Sequence, residues 1–215
     1  TWLAAVHGET SSGCLNDVAL FTDYKAQRGG NVTLALDCVS SFGAVPFSLA
    51  EVDFASATSG KALGAVAGLS WVFYQQAHAK RPEQGTYAQL AHYDGHIPFT
   101  LPVYLLANVH NALLAYPERY AQLAQRLHSL LHHRLLQTHC LHTHHYPTAV
   151  SYQLPSAWRH NAELNGLHLH QHSTYLQAQA WSQISTIQPT FEQDFAALDA
   201  WLTHMADLAN VEIPA

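Results

Sequence analysis

Charged residues are scarce in this chain. Its 215 residues include 9 Lys+Arg and 15 Asp+Glu, a formal net charge of -6 at pH 7 with histidine neutral. So few cations exclude a nucleic-acid groove or an anionic membrane face as the main partner. No apolar run is long enough to cross a bilayer. Cysteine is confined to Cys14, Cys38 and Cys140, far apart and without CxxC spacing, which excludes a disulfide framework and a zinc ribbon. The opening TWLAAVHGETSSG has no basic n-region, so no signal peptide is read and a reduced, cytoplasmic setting is expected. There is no GxSxG elbow for a serine hydrolase. Asn31-Val32-Thr33 is a glycosylation sequon by pattern only.

Hydrophobic residues make up 48% of the chain, enough for a sizeable core. Trp2 to Val6 is an apolar run that ends in the polar cluster 7–13, the pattern of a buried strand delivering a loop. Asp17 is placed to cap a helix carrying Val18, Phe21 and Tyr24, with Gly29-Gly30 as its stop. Val32 to Leu36 is a second continuous apolar run, the pattern of a parallel strand covered on both faces. Together these form a βαβ unit with Asp37 at the carboxyl end of its second strand, where open α/β sheets collect ligands.

Strands are predicted at 54–58 and 69–74, and a buried helix at 101–116. An amphipathic helix follows at 118–136. Beyond it the pattern predicts a strand at 148–154, a short helix at 158–164, strands at 167–172 and 180–187, and a final helix opened by a Thr190/Gln193 capping box. The fold class is α/β, with a domain over 1–117 followed by a smaller α+β domain over 118–215.

Two side chains carry chemistry. Lysine occurs only at 25, 61 and 80, and Lys61 lies in a Gly/Ser loop between apolar strands. A desolvated lysine is a better nucleophile towards carbonyls, and a carboxylate such as Asp37 facing a pyridine nitrogen keeps that ring protonated. The other reading of Lys61 is a phosphate loop or a surface lysine; a Walker A loop fails because position 55 is Ala55.

The stretches HGETSSGCLND (7–17), LALDCVSSFGAVPFSL (34–49), SGKALGAVAG (59–68) and PFTLP (98–102) resemble class V aminotransferases of the fold-type-I pyridoxal-phosphate (PLP) superfamily. Within that superfamily they are most similar to the 2-aminoethylphosphonate–pyruvate and serine/alanine–glyoxylate groups. The resemblance implies a PLP-dependent transaminase acting on a primary amine or amino acid and a 2-oxo acid such as pyruvate or glyoxylate. Lys61 would form the Schiff base and shuttle the proton, Asp37 would pair with the pyridine nitrogen, and Val39 would pack on the ring. Thr10 would contact the cofactor, and Thr100 would reach the phosphate of the neighbouring subunit in a homodimer.

The sequence also departs from that family. Gly60 stands where the family has a phosphate-contacting side chain, leaving Ser59 as the substitute. Gln183 stands where the family has an anion-binding arginine, with Arg159 as a compensating cation. The chain resembles the C-terminal part of the family, so its glycine-rich phosphate loop is expected upstream of Thr1. The alternatives are therefore a catalytically impaired fragment, or a split enzyme that needs a complementary N-terminal polypeptide.

The 17 histidines offer a third reading, a metal-binding protein. His168, His170 and His172 alternate on a predicted strand, His139, His142, His144 and His145 share a loop, and His128 and His132 are one helical turn apart. The plain alternative is that histidine replaces Lys and Gln as a solvated polar residue.

Overall fold

A computed structural model of the chain describes residues 1–29, 31–75, 90–93, 100–141 and 146–209. They form two compact units, Thr1–His7 with Asn16–Tyr116, and Gly8–Leu15 with Pro117–Ala215. The loop at 8–15, read from sequence as part of the first domain, thus packs with the second unit.

In the first unit β1 (Trp2–Val6) pairs in parallel with β4 (Thr33–Asp37), and β4 in parallel with β5 (Phe54–Thr58). β6 (Ser70–Tyr74) pairs antiparallel with β5, giving a mixed sheet of order β1-β4-β5-β6. The crossover from β1 to β4 carries α1 (Val18–Gln27), whose first turn is held by the Asp17 carboxylate accepting from Ala19 N at 2.9 Å. Gly29, at φ +64°, ends it in the left-handed region that glycine enters freely.

Val18 and Phe21 of α1 pack on Leu34, Leu36, Leu3 and Ala5, one face of the sheet. The other face is covered less. Thr33, Ala35, Phe54 and Ser56 are half-buried, and Trp2, stacked on Phe54 at 5.5 Å, is 65% exposed. The run 32–36 therefore alternates in burial, where its continuous apolar character predicted cover on both faces. α2 (Val103–Leu114) likewise buries only Leu105 and Val109, where the sequence predicted a buried helix.

Beneath α1, the Asp53 carboxylate accepts from Leu34 N and from Lys25 Nζ, both at 2.7 Å, and Lys25 Nζ also donates to Glu51 O at 2.9 Å. This largely buried ion pair joins the helix to the sheet with its hydrogen bonds made, the condition under which burying charge is tolerable.

The second unit contains the hairpin β2 (Gly8–Glu9) and β3 (Cys14–Leu15), and the antiparallel pair β7 (Ala149–Tyr152) and β8 (Ser182–Ser185). α3 (Tyr116–Leu131), α4 (Ser156–Leu164) and α6 (Phe191–Leu208) enclose a core that includes Leu130, Val150, Tyr152, Trp158, Leu198 and Leu202.

Two expectations fail here. The stretch 167–172 is not a strand: only His170 bridges to Gln183. Leu169 N turns back onto Leu167 O at 3.1 Å, and Ser173 then caps a short helix, α5 (Thr174–Gln179), that the sequence did not reveal. The Thr190/Gln193 capping box also does not form, because Thr190 Oγ1 donates to Asp194 Oδ2 at 2.7 Å.

Arg126 on α3 is buried with every arm paired. Nε and Nη2 donate to the two Glu192 oxygens at 2.8 and 3.0 Å, and Nη1 donates to Thr186 O at 2.8 Å and Gln188 O at 3.0 Å. Its guanidinium also lies over the Phe191 ring, 5.1 Å from the centroid. The Arg126 hydrogen bonds, ahead of one from its own backbone, hold the Glu192 carboxyl below its ordinary value. Arg126→Ala strands the buried Thr186 carbonyl oxygen and should cost about 2–3 kcal/mol in urea unfolding at pH 7. Because the Glu192 value is lowered on folding, its contribution is complete above about pH 4.3 and fades as the pH falls through the lowered value. The difference between wild type and Arg126→Ala should therefore shrink in unfolding curves taken below about pH 4.

Candidate active site

β4 ends at Asp37, which lies opposite Ser56 in the register, two residues before the end of β5. Asp37 Oδ1 accepts from Val39 N at 2.8 Å and from Ser56 Oγ at 3.1 Å. Its second oxygen has no partner among the described residues, and the side chain is exposed. Beyond β5 the chain turns at Ser59-Gly60 and presents Lys61, whose Nζ donates to Ser40 Oγ at 2.8 Å. Ser40 lies three residues past Asp37, so the loops following two adjacent parallel strands are joined through the lysine amine. The sequence did not single out Ser40 or Ser56; the polar pair Ser40-Ser41 directly after an apolar strand was the available signal.

The Ser59 hydroxyl, placed among the cofactor contacts by the resemblance, is buried inside the loop. It donates to Val66 O at 2.7 Å and accepts from Leu69 N at 3.2 Å, so its proton is committed to closing the turn. The turn also explains Gly60: a Cβ there would stand 2.5 Å from Ala67 Cβ and 2.7 Å from Ala67 Cα. The glycine that removes a phosphate-contacting side chain is thus required by the close approach of 60 and 67.

His7, directly after β1, is buried edge-on against Phe47 with centroids 4.3 Å apart, and its backbone N–H donates to Asp37 O at 2.9 Å. Burial lowers its pKa, outweighing the opposing effect of Asp17. Burial pushes the Cys38 thiol up to about 12, so this cysteine, next to Asp37, is not a thiolate nucleophile.

Of the other predicted residues, Val39 and Thr100 belong to the first unit and Thr10, Gln183 and Arg159 to the second. Val39 is half-buried, and Thr100 is exposed ahead of α2. In the second unit, Thr10 is exposed on the turn between β2 and β3, and its carbonyl accepts from Gln183 Nε2 at 2.7 Å. The same amide nitrogen donates to Ser151 Oγ at 2.9 Å. Gln183 therefore ties the 8–15 turn to β7 and β8, and both of its N–H groups have acceptors. It lines a cavity of about 570 Å3 with Thr10, Ser11, His168, His170 and Tyr175. Arg159, the expected compensating cation, lines a different cleft.

Among the described residues, no three His, Cys, Asp or Glu side chains gather to hold an ion. His128 and His132 stack at 4.0 Å, and His142, His144 and His145 lie outside the described residues.

No protein-family model matches the chain. Its fold matches solved aminotransferases. The aspartate aminotransferase of Thermus thermophilus superposes with TM-score 0.75 at 18% identity, over 96% of this chain and 64% of that one. The alanine–glyoxylate aminotransferase of Nostoc sp. gives 0.74 at 21% identity, over 94% and 61%. The chain thus has the mixed α/β fold of the PLP-dependent aminotransferases.

In sequence it is similar to 2-aminoethylphosphonate–pyruvate transaminases. Identity is 34% over 148 residues with that of Pseudomonas fluorescens Pf-5, and 35% over 130 residues with that of Pseudomonas entomophila L48. These alignments take in 60% and 55% of this chain but only 39% and 34% of the relatives, so the chain spans well under half the length of the curated relatives it matches.

Because a side chain at 60 collides with backbone, Gly60→Ala and Gly60→Gln should each lower stability by about 1–3 kcal/mol in chemical denaturation. A variant as stable as wild type would show that the 64–67 segment yields at no cost.

Proposed function

We propose that this chain is part of a PLP-dependent aminotransferase that moves an amino group from a primary amine or amino acid to a 2-oxo acid of the pyruvate or glyoxylate kind. The observation that carries the reading is the pairing at the ends of β4 and β5: a lysine amine held by Ser40 beside a carboxylate with one oxygen unengaged. When bound, the cofactor supplies an electron sink, which a protonated ring nitrogen sustains.

Lys61 would hold the cofactor through its amine, and Ser40 keeps that amine at the loop edge until it is displaced. As the group nearest the reacting carbon, Lys61 is also the proton carrier in this reading. Asp37 would hold a proton on the ring nitrogen through its second oxygen, while Val39 N and Ser56 Oγ fix its first. The buried His7 and the half-buried Phe47 support this strand end against solvent. Val39 against the ring, Thr10 on the cofactor and Thr100 on the partner's cofactor in a homodimer rest on the resemblance alone. A cytoplasmic setting rests on the cysteine pattern.

A second reading, an impaired enzyme or one that needs a complementary polypeptide, is favoured by Gln183. Its amide is neutral and already engaged, so it cannot give the bidentate, charge-assisted grip on a substrate anion that arginine gives.

Incubation with PLP, borohydride reduction and peptide mapping test the assignment. The wild-type chain should carry the reduced adduct on Lys61. Lys61→Ala should carry none there while its far-UV circular dichroism is unchanged. Modification spread equally over Lys25 and Lys80 would refute the role, and no adduct at all would favour the second reading. Asp37→Ala should weaken cofactor retention by about ten- to a hundredfold in spectroscopic titration, the scale of a lost charge-assisted hydrogen bond of about 1.5–3 kcal/mol.

A further inference from the structure

One face of α4 in the second unit presents Ser156, Arg159, His160 and Glu163, residues one helical turn apart. With Gln171, His172 and Gln177 they wall a cleft of about 230 Å3, smaller than the usual range for drug-sized ligands. Most of this wall is internally satisfied. The Glu163 carboxylate accepts from Gln171 Nε2 at 2.6 Å and faces His172 Nε2 at 3.3 Å. The Gln171 amide oxygen accepts from Ser182 Oγ at 3.2 Å.

Arg159 is the exception. Its Nε is buried without a hydrogen-bond partner, and no described side chain or carbonyl accepts from its guanidinium. Arg126, in the same unit, is the contrast: it is buried with acceptors for all three of its nitrogens, whereas Arg159 is half-buried and its Nε is shut away without one. A desolvated N–H with no acceptor is unfavourable, and a guanidinium edge matches the two oxygens of a carboxylate, phosphonate or phosphate. The carboxylate in the cleft is engaged by Gln171 and His172 through one oxygen, Oε1. Ser156, His160 and Gln177 add polar ends that no described residue engages.

We propose that this cleft binds a small oxyanion, with Arg159 as its bidentate anchor and His160, Gln177 and Ser156 as further donors. The cleft shares Gln171 and His172 with the cavity lined by Gln183, but Ser156, Arg159, His160 and Gln177 do not line that cavity, and the proposal does not rest on the aminotransferase reading. Binding here is thus measurable whether or not Lys61 takes a cofactor.

The test is nuclear magnetic resonance of the 215-residue chain, following the Arg159 Nε–Hε signal during titration with inorganic phosphate, and in parallel arms with methylphosphonate and acetate, at constant chloride. A saturable shift at about 1 mM or tighter in any arm supports the proposal and identifies which oxyanion it takes. Arg159→Gln should weaken that binding at least about tenfold, read from the remaining shifted signals, with its thermal midpoint unchanged. Arg159→Lys should recover only part of it, because an ammonium lacks the fork. No saturable shift of the Arg159 signal in any arm overturns the proposal, and so does undiminished binding by a folded Arg159→Gln. If that variant fails to fold, the wild-type titration decides alone, because it is read at the arginine itself.

Discussion

The parallel register of β4 and β5 is the constraint on which the candidate site depends. Pairing Asp37 with Ser56 sets the last residue of β4 two residues short of the end of β5, so the loops that follow emerge at the same end of the sheet. Ser56 can then hold Asp37 across the strands, and Lys61, five residues along, reaches Ser40 beyond Asp37. A shift of one residue would turn each side chain to the opposite face of the sheet and dissolve this set together. The register is reinforced from below by Asp53, which takes the Leu34 N–H and the Lys25 amine.

Around this edge the chain places small residues where backbone must approach backbone. Gly60 admits Ala67, and Ser59 closes the same turn with a hydroxyl that satisfies Val66 and Leu69. The loop is therefore built for compactness, and its polar groups serve the turn before any ligand. Gln183 in the second unit follows the same logic: where related chains are expected to present a cation, this one has an amide that ties the 8–15 turn to the β7–β8 pair.

Much of the first unit was legible in sequence because its signals are local. Asp17 before an apolar helix face, glycine after it, and short apolar runs ending in polar residues each act within a few positions. The 34–49 and 59–68 stretches likewise singled out Asp37 and Lys61, which lie at and beyond the ends of two adjacent strands. The histidine alternation at 168–172 was misleading. Leu169 is buried and His168 and His170 are exposed, as in a strand, yet only one residue finds a bridging partner before Ser173 starts a helix. Period-2 alternation records which side chains point inward and is silent on whether a neighbouring strand is within reach.

By itself the sequence determined the class of fold, the order of the main elements and the identity of the chemically capable pair, since composition, caps and motif spacing are properties of the chain alone. Only the tertiary structure decided what each polar group is committed to: Lys61 to Ser40, Ser59 to its own turn, Gln183 to Thr10 and Ser151, Arg126 to Glu192, and Arg159 to none of the described residues. Those assignments join positions from seven to more than 170 residues apart. Which donor meets which acceptor is set by packing that brings distant segments together, and the residue types alone do not specify it.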